Sequence, residues 1–185
     1  MYAKVAWHED MWQEIKDSAM FTIHKWSGKY PDSGWKRRIL LAEHSPIRIG
    51  KVIIEIHEVP SYVIGHLVRH NIGFTPFVPS LRSDRYDSGG VVPDRNTLNA
   101  VRFEGNFQAF INISRRRLCR QASEETRKAW QLVKDAISKV EPELASCMVP
   151  ECVYRGFCPE MRGCGFAGTD RYCDMVLEYR GIGDE

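Results

Sequence analysis

Apolar positions along the chain recur in two rhythms, one helical and one extended. Val52–Val59 (VIIEIHEV) is rich in β-branched residues on mixed faces and predicts a strand, which Pro60 closes. Tyr2–Trp7 reads as a shorter first strand. Glu9–Ala19 puts Met11, Trp12, Ile15 and Ala19 on one helical face, and Trp35–Glu43 is a second helix. That helix should stop at His44-Ser45-Pro46, because the residue before a proline disfavours helix. Ser61 suits the N-cap of a helix from Tyr62 to about His70. Asn106–Leu118 carries an apolar stripe of Phe107, Phe110, Ile111 and Leu118. The clearest helix is Ser123–Val140, where Trp130, Val133, Ile137 and Val140 repeat at helical spacing and Pro142 ends the run.

The segments between these elements are as informative. Residues 27–34 (SGKYPDSG) form a turn-rich loop. Residues 73–96 hold three prolines and three glycines, and so long an irregular stretch inside a compact domain is usually functional or disordered. From Cys147 to Cys173 the abundance of Cys and Gly predicts little regular structure, with Met175–Tyr179 as a last strand. No internal repeat is visible. The pattern is that of one α/β (α+β) domain over residues 1–185.

Composition changes this picture little. Hydrophobic residues make up 43 %, enough for a real core. A net charge of +2 does not call for nucleic acid, although clustered arginines can still build local anion sites. No run of 18 apolar residues predicts a membrane span. The N-terminal MYAKVAWHEDMWQEIKD lacks the apolar centre of a signal peptide, so the expectation is a cytoplasmic protein whose six cysteines stay mostly reduced.

Candidate chemistry gathers in four places. Arg69-His70-Asn71 and Arg82-Ser83-Asp84-Arg85-Tyr86 flank the long loop. Arginine forks, a hydroxyl and free backbone amides can cradle an anion, and a solvated loop with ordinary ion pairs fits the same residues. Arg115-Arg116-Arg117 with Arg120 is a basic helix face or a nucleic-acid contact. Cys147, Cys152, Cys158 and Cys164 are too loosely spaced for ordinary zinc knuckles, and free thiols are expected in place of a metal site. His44, His57, His66 and His70 match no metal-ligand motif, and the common phosphate-loop, dinucleotide and nucleophile-elbow motifs are absent.

Taken in order, these blocks resemble the flavin-dependent thymidylate synthase (ThyX) family. Its signature is R-H-R-x-x-S-x-N-x-x-S-x-R-Y, and Arg69-His70 and Ser83-Asp84-Arg85-Tyr86 match its two ends. Asn71 replaces the third-position Arg, and the ends lie four residues further apart, with Pro76 and Pro79 in the insertion and Ser80 nearest the motif's Asn. Glu43-His44-Ser45-Pro46 resembles a family stretch before the signature. Asn106, Asn112 and Arg117 keep family positions on the following helix, whereas Gln108 stands where an Arg is usual. Gln121–Arg127 resembles the next stretch, and Cys152 to Cys164 a C-terminal one. The resemblance covers about residues 40–165 in collinear blocks.

The resemblance implies a single domain with a central mixed sheet flanked by helices and a Cys-rich C-terminal loop region. It implies FAD as cofactor, NADPH and methylenetetrahydrofolate as cosubstrates, and dUMP or a related pyrimidine nucleotide as substrate. A homotetramer with active sites between subunits follows, with no membrane association and no nucleic acid as partner. Carried over, Ser83, Arg85 and Arg117 are the catalytic residues, and with His66, Arg69 and Arg82 they bind the nucleotide. Arg69, His70, Asn71, Asn106 and Asn112 contact the flavin. No metal is implied. A nucleic-acid-binding protein and a non-catalytic scaffold of the same fold are the rival readings.

Overall fold

A computed structural model describes residues 1–26, 28–85, 89–90 and 92–181. Its centre is a four-stranded sheet in the order β1 (Tyr2–His8), β2 (Lys51–Pro60), β4 (Leu98–Asn106), β3 (Phe74–Phe77). Every pairing is antiparallel, so the expected mixed sheet is corrected. The reason is β4: the chain leaves β3, loops out through residues 78–97 and returns alongside both β3 and β2. A return of that kind gives antiparallel neighbours, whereas a parallel pair needs a crossover. β4 alternates buried Val101, Phe103 and Gly105 with the outward Arg102 and Glu104, so one face meets the core and the other meets solvent.

The helices cover the inner face. They are α1 (Trp12–Phe21), α2 (Ser33–Leu41), α3 (Ser61–Leu67), α4 (Phe107–Arg117), α5 (Glu124–Ile137), α6 (Pro142–Cys147), α7 (Glu151–Arg155) and α8 (Asp170–Arg180). Phe74, Phe103 and Phe110 pack ring to ring at 4.8–5.0 Å, and Trp130 of α5 lies 6.2 Å from Phe110. The Trp130 indole donates to Ser114 Oγ at 2.8 Å, so the deepest polar group of α5 is satisfied. This aromatic block locks α4 and α5 against β3 and β4 and fixes the side chains at both helix ends.

Local chemistry sets the boundaries. Asn106 caps α4, its side-chain oxygen accepting from the Ala109 amide at 2.9 Å, and Ser123 caps α5 through Thr126. Ser61 is not a cap. Its hydroxyl donates to the Thr97 carbonyl at 2.8 Å and ties the start of α3 to the loop before β4. Pro142 opens α6 at its first turn, as well as following α5. The longest irregular stretch of the Cys-rich region is residues 156–165, and α6, α7 and the start of α8 supply helix on either side of it. The strand expected at Met175–Tyr179 is part of α8, where Tyr172, Val176 and Tyr179 recur at helical spacing and the two tyrosines are buried.

Candidate functional site

Helix α3 ends at Leu67, so Arg69 and His70 sit on the turn that follows it. α4 ends at Arg117, and its last residues face the same turn. The Arg117 guanidinium donates to the His66 carbonyl at 2.6 Å, which locks the two helix ends together. His66 in turn pairs through Nδ1 with the Thr126 hydroxyl at 2.9 Å, on the first turn of α5. The loop before β4 adds Arg95, whose guanidinium stands 5.1 Å from the Tyr62 ring centre, and Tyr62 meets His66 edge-on.

The electrostatics of this cluster are one-sided. Burial pushes the half-buried Arg117 below the usual arginine value, and the neighbouring Arg69 adds to the push. Burial also lowers the His66 imidazole, followed by the charges of Arg117, Arg69 and Arg95. His70 is lowered by burial first and then by Arg117 and Arg116. Among the described residues, none of Arg69, Arg95 and Arg117 has a carboxylate within ion-pair distance. The buried Arg117 Nε and His70 Nε2 have no hydrogen-bond partner. Half-buried cations that repel one another and orphaned polar atoms are both costly, and an anion between the ends of α3 and α4 would relieve both.

A second cluster lies two residues earlier on α4. The Glu43 carboxylate accepts from Gln108 Nε2 at 2.5 Å and from Arg115, while Asn112 Oδ1 accepts from Gln108 and Arg115 at 3.2 Å each. Arg115 also stacks on the Tyr154 ring, 3.5 Å from its centre. Glu43 holds a left-handed backbone angle, φ = 51°, at the end of α2. Gln108, which stands where the resembling family usually has an Arg, is therefore bonded to Glu43, and the charge of this cluster is matched within the chain, although the buried Arg115 Nε has no hydrogen-bond partner.

The remaining sequence-derived residues divide between two places. Asn71 and Asn106 line one cavity of about 260 Å³ with Lys51, Thr75 and Glu104, at the open end of β3. Asn106 approaches Gly73 so closely that a Cβ there would stand 2.8 Å from Asn106 Nδ2, and Gly73 also holds φ = 71°. Arg82, Ser83 and Arg85 are exposed on the long loop, where Arg82 forks onto the Asp84 carboxylate at 2.9 and 3.0 Å and the Arg85 amide donates to the Arg82 carbonyl. Tyr86 lies outside the described residues. Among the described residues no hydrogen bond or ion pair joins the 82–85 segment to Arg69, His70 or Arg117. Arg95, Thr126 and Tyr62 escaped the sequence reading. Thr126 alone had a signal, as the third helical residue after a Ser cap.

The thiols do not join the cleft chemistry. Cys147 packs beside Ser146 on α6, and burial pushes Cys119, Cys147 and Cys152 up, keeping them protonated and weakly nucleophilic. Among the described residues no group of three or more His, Cys, Asp or Glu side chains stands close enough to hold a metal. No helix of the described chain is long and apolar enough to cross a membrane.

No protein-family model and no curated protein matches the chain in sequence. Its architecture has clear counterparts among solved structures. The flavin-dependent thymidylate synthase ThyX from Helicobacter pylori, complexed with FAD and dUMP, superposes with a TM-score of 0.64 over 80 % of this chain and 100 % of that one, at 12 % identity. The chain has the ThyX fold. A UMP/dUMP methylase, PolB from Streptomyces cacaoi bound with 5-Br dUMP, matches with a TM-score of 0.62 over 84 % of this chain and 94 % of that one, also at 12 % identity. At this identity the likeness is one of ThyX architecture, and the chemistry must be argued from the chain's own residues.

Proposed function

We propose that the protein is an enzyme that transfers a one-carbon unit to C5 of a pyrimidine nucleotide, with FAD as cofactor and dUMP as the leading substrate. The observation that carries the reading is the unneutralised Arg69, Arg95 and Arg117 cluster between α3 and α4, placed in a ThyX fold. A nucleotide phosphate is a dianion that planar arginine forks bind through two oxygens at once. The orphaned Arg117 Nε and His70 Nε2 fit such a ligand, and they fit the phosphates of FAD equally well. His70 and Arg69, with Asn71 and Asn106 across the end of β3 and Asn112 on α4, would hold the flavin.

When bound, FAD would supply the redox chemistry of the transfer, with NADPH as reductant and methylenetetrahydrofolate as carbon donor. The chain's own residues do the rest. Arg117 and Arg69 would anchor and orient the nucleotide through its phosphate, with Arg117 held in place by its bond to the His66 carbonyl. Thr126 holds the His66 ring in one orientation. Burial keeps the Cys119, Cys147 and Cys152 thiols protonated, so none of these three is activated to attack the base. Ser83, Arg85 and Arg82 would complete the nucleotide site of a neighbouring copy in a homotetramer, a reading that their exposure on the loop supports.

A second reading keeps the reaction and changes the nucleotide. The neutralised Glu43–Gln108–Arg115 cluster, at a position where the resembling family usually has an Arg, favours it, as does the comparable likeness to a UMP/dUMP methylase. Both readings are tested by incubating the protein with FAD, NADPH, methylenetetrahydrofolate and either dUMP or UMP, and analysing the nucleotide by mass spectrometry. The expected result is a product heavier by one methylene equivalent from at least one of the two. A protein that binds no flavin and alters neither nucleotide contradicts both.

A further inference from the structure

A second cationic cavity opens on the other side of α5, lined by none of the residues assigned above to flavin or nucleotide. It has a volume of about 460 Å³, within the range of small-molecule sites. Arg127 and Lys134 of α5 stand on one stripe with Gln131 between them, one and two turns apart, and form the first wall. Arg171, on the first turn of α8, faces them, and Arg120 from the turn after α4 closes the third side. The floor is apolar, and its Phe166 ring is covered by the Arg120 guanidinium at 4.1 Å. No carboxylate lines the cavity.

The fifth cation, Lys128, is paired with Glu124 at 2.7 Å. Among the described residues the other four have no carboxylate within ion-pair distance. Glu178 and Asp135 lie near enough to Lys134 to be felt, but burial outweighs them and pushes its ammonium below the ordinary lysine value. Four like charges around one concavity, three of them bidentate forks, match a ligand with several phosphates in a row better than a single phosphate or carboxylate.

We infer that this cavity is a separate binding site for a linear polyphosphate chain, either bare or carried by a nucleoside triphosphate. The site does not depend on the pyrimidine chemistry proposed for the α3–α4 cleft.

Calorimetric titration at low salt with sodium tripolyphosphate, with ATP and with a single-stranded oligothymidylate tests it. The expected result is saturable binding of tripolyphosphate and ATP, one per chain, undiminished by saturating dUMP and weakened by added salt. Equal affinities assign the bare chain, and tighter ATP assigns the nucleotide. Arg127→Gln and Arg171→Gln should each weaken binding roughly ten- to a hundredfold, while Arg117→Gln, in the other cleft, leaves it unchanged. The inference is overturned if neither ligand binds, if the double variant binds as well as the parent, or if affinity per phosphate rises with oligothymidylate length. It is likewise overturned if Arg117→Gln abolishes tripolyphosphate binding, since the anion would then sit in the α3–α4 cleft.

Discussion

Arg115 and Arg117 stand two residues apart on one helix and live in opposite surroundings. Arg115 meets Glu43, Asn112 and the Tyr154 ring, so its charge is matched within the chain. Arg117 meets a backbone carbonyl on one side and the repulsion of Arg69 on the other. A helical step of two residues turns a side chain through roughly 200°, which aims the first at α2 and the second at α3. The first arginine is part of the structure. The second is held in readiness for something the chain does not supply.

Substituting the two clusters separately tests that contrast. The largest expected effect is on ligand binding: Arg117→Gln should weaken dUMP binding by about 30- to 1000-fold, equivalent to ~2–4 kcal/mol. The same substitution should leave urea stability unchanged or slightly raised, because it removes an unmatched half-buried charge. Glu43→Gln should do the reverse. It strands Arg115 and should lower unfolding stability by about 1–3 kcal/mol in urea titrations, with a smaller effect on nucleotide affinity. If both substitutions changed binding and stability alike, the two arginines would not differ as described.

The third effect is a pH dependence. His66 and His70 are held below the ordinary imidazole value of 6.5, by burial first and by neighbouring cations second. The unfolded chain therefore takes up protons near 6.5 where the folded chain still refuses them. Their contribution to stability is present above about 6.5 and is lost as pH falls through that value. Denaturation midpoints should fall between about pH 8 and pH 5, and His66→Asn with His70→Asn should flatten the slope. Bound dUMP should flatten it as well, since an anion in the cleft favours the charged imidazoles. The smallest effect belongs to Arg82→Ala on the exposed loop, expected to shift stability by less than about 1 kcal/mol despite its forked pair with Asp84.

How far the sequence speaks depends on the range of the interactions that decide each part. β2, α4 and α5 carry long apolar patterns and their own caps at Asn106 and Ser123, and they are legible from the sequence to within a few residues. β3 lies inside the stretch 73–96 expected to be irregular, and β4, despite a period-two signal in Val101, Phe103 and Gly105, follows directly on that stretch and is not among the predicted elements. Its omission also hid the antiparallel order of the sheet. α6 and α7 are short, and burial of Cys147 and Cys152 against the rest of the molecule holds them more than local propensity does.

The site divides in the same way. Arg69, His70 and Arg117 are found from the family resemblance, and the fold brings them to one cleft. The Glu43–Gln108 bond joins residues 65 positions apart, and Arg95 reaches Tyr62 only because Ser61 is tied to Thr97. Contacts of that range leave no periodicity to read. The same holds for Gln108, whose change from the family's usual Arg gains a structural sense only once its bond to Glu43 is seen.

The central claim is that the Arg117 cleft binds a pyrimidine nucleotide beside a flavin. Calorimetric titration of dUMP into the FAD-loaded protein, for the parent chain and for Arg117→Gln, tests it most directly. The account predicts saturable binding to the parent, strengthened by FAD and lost or reduced by at least about thirtyfold in the variant. Absence of binding to the parent, or equal binding to both proteins, would contradict it.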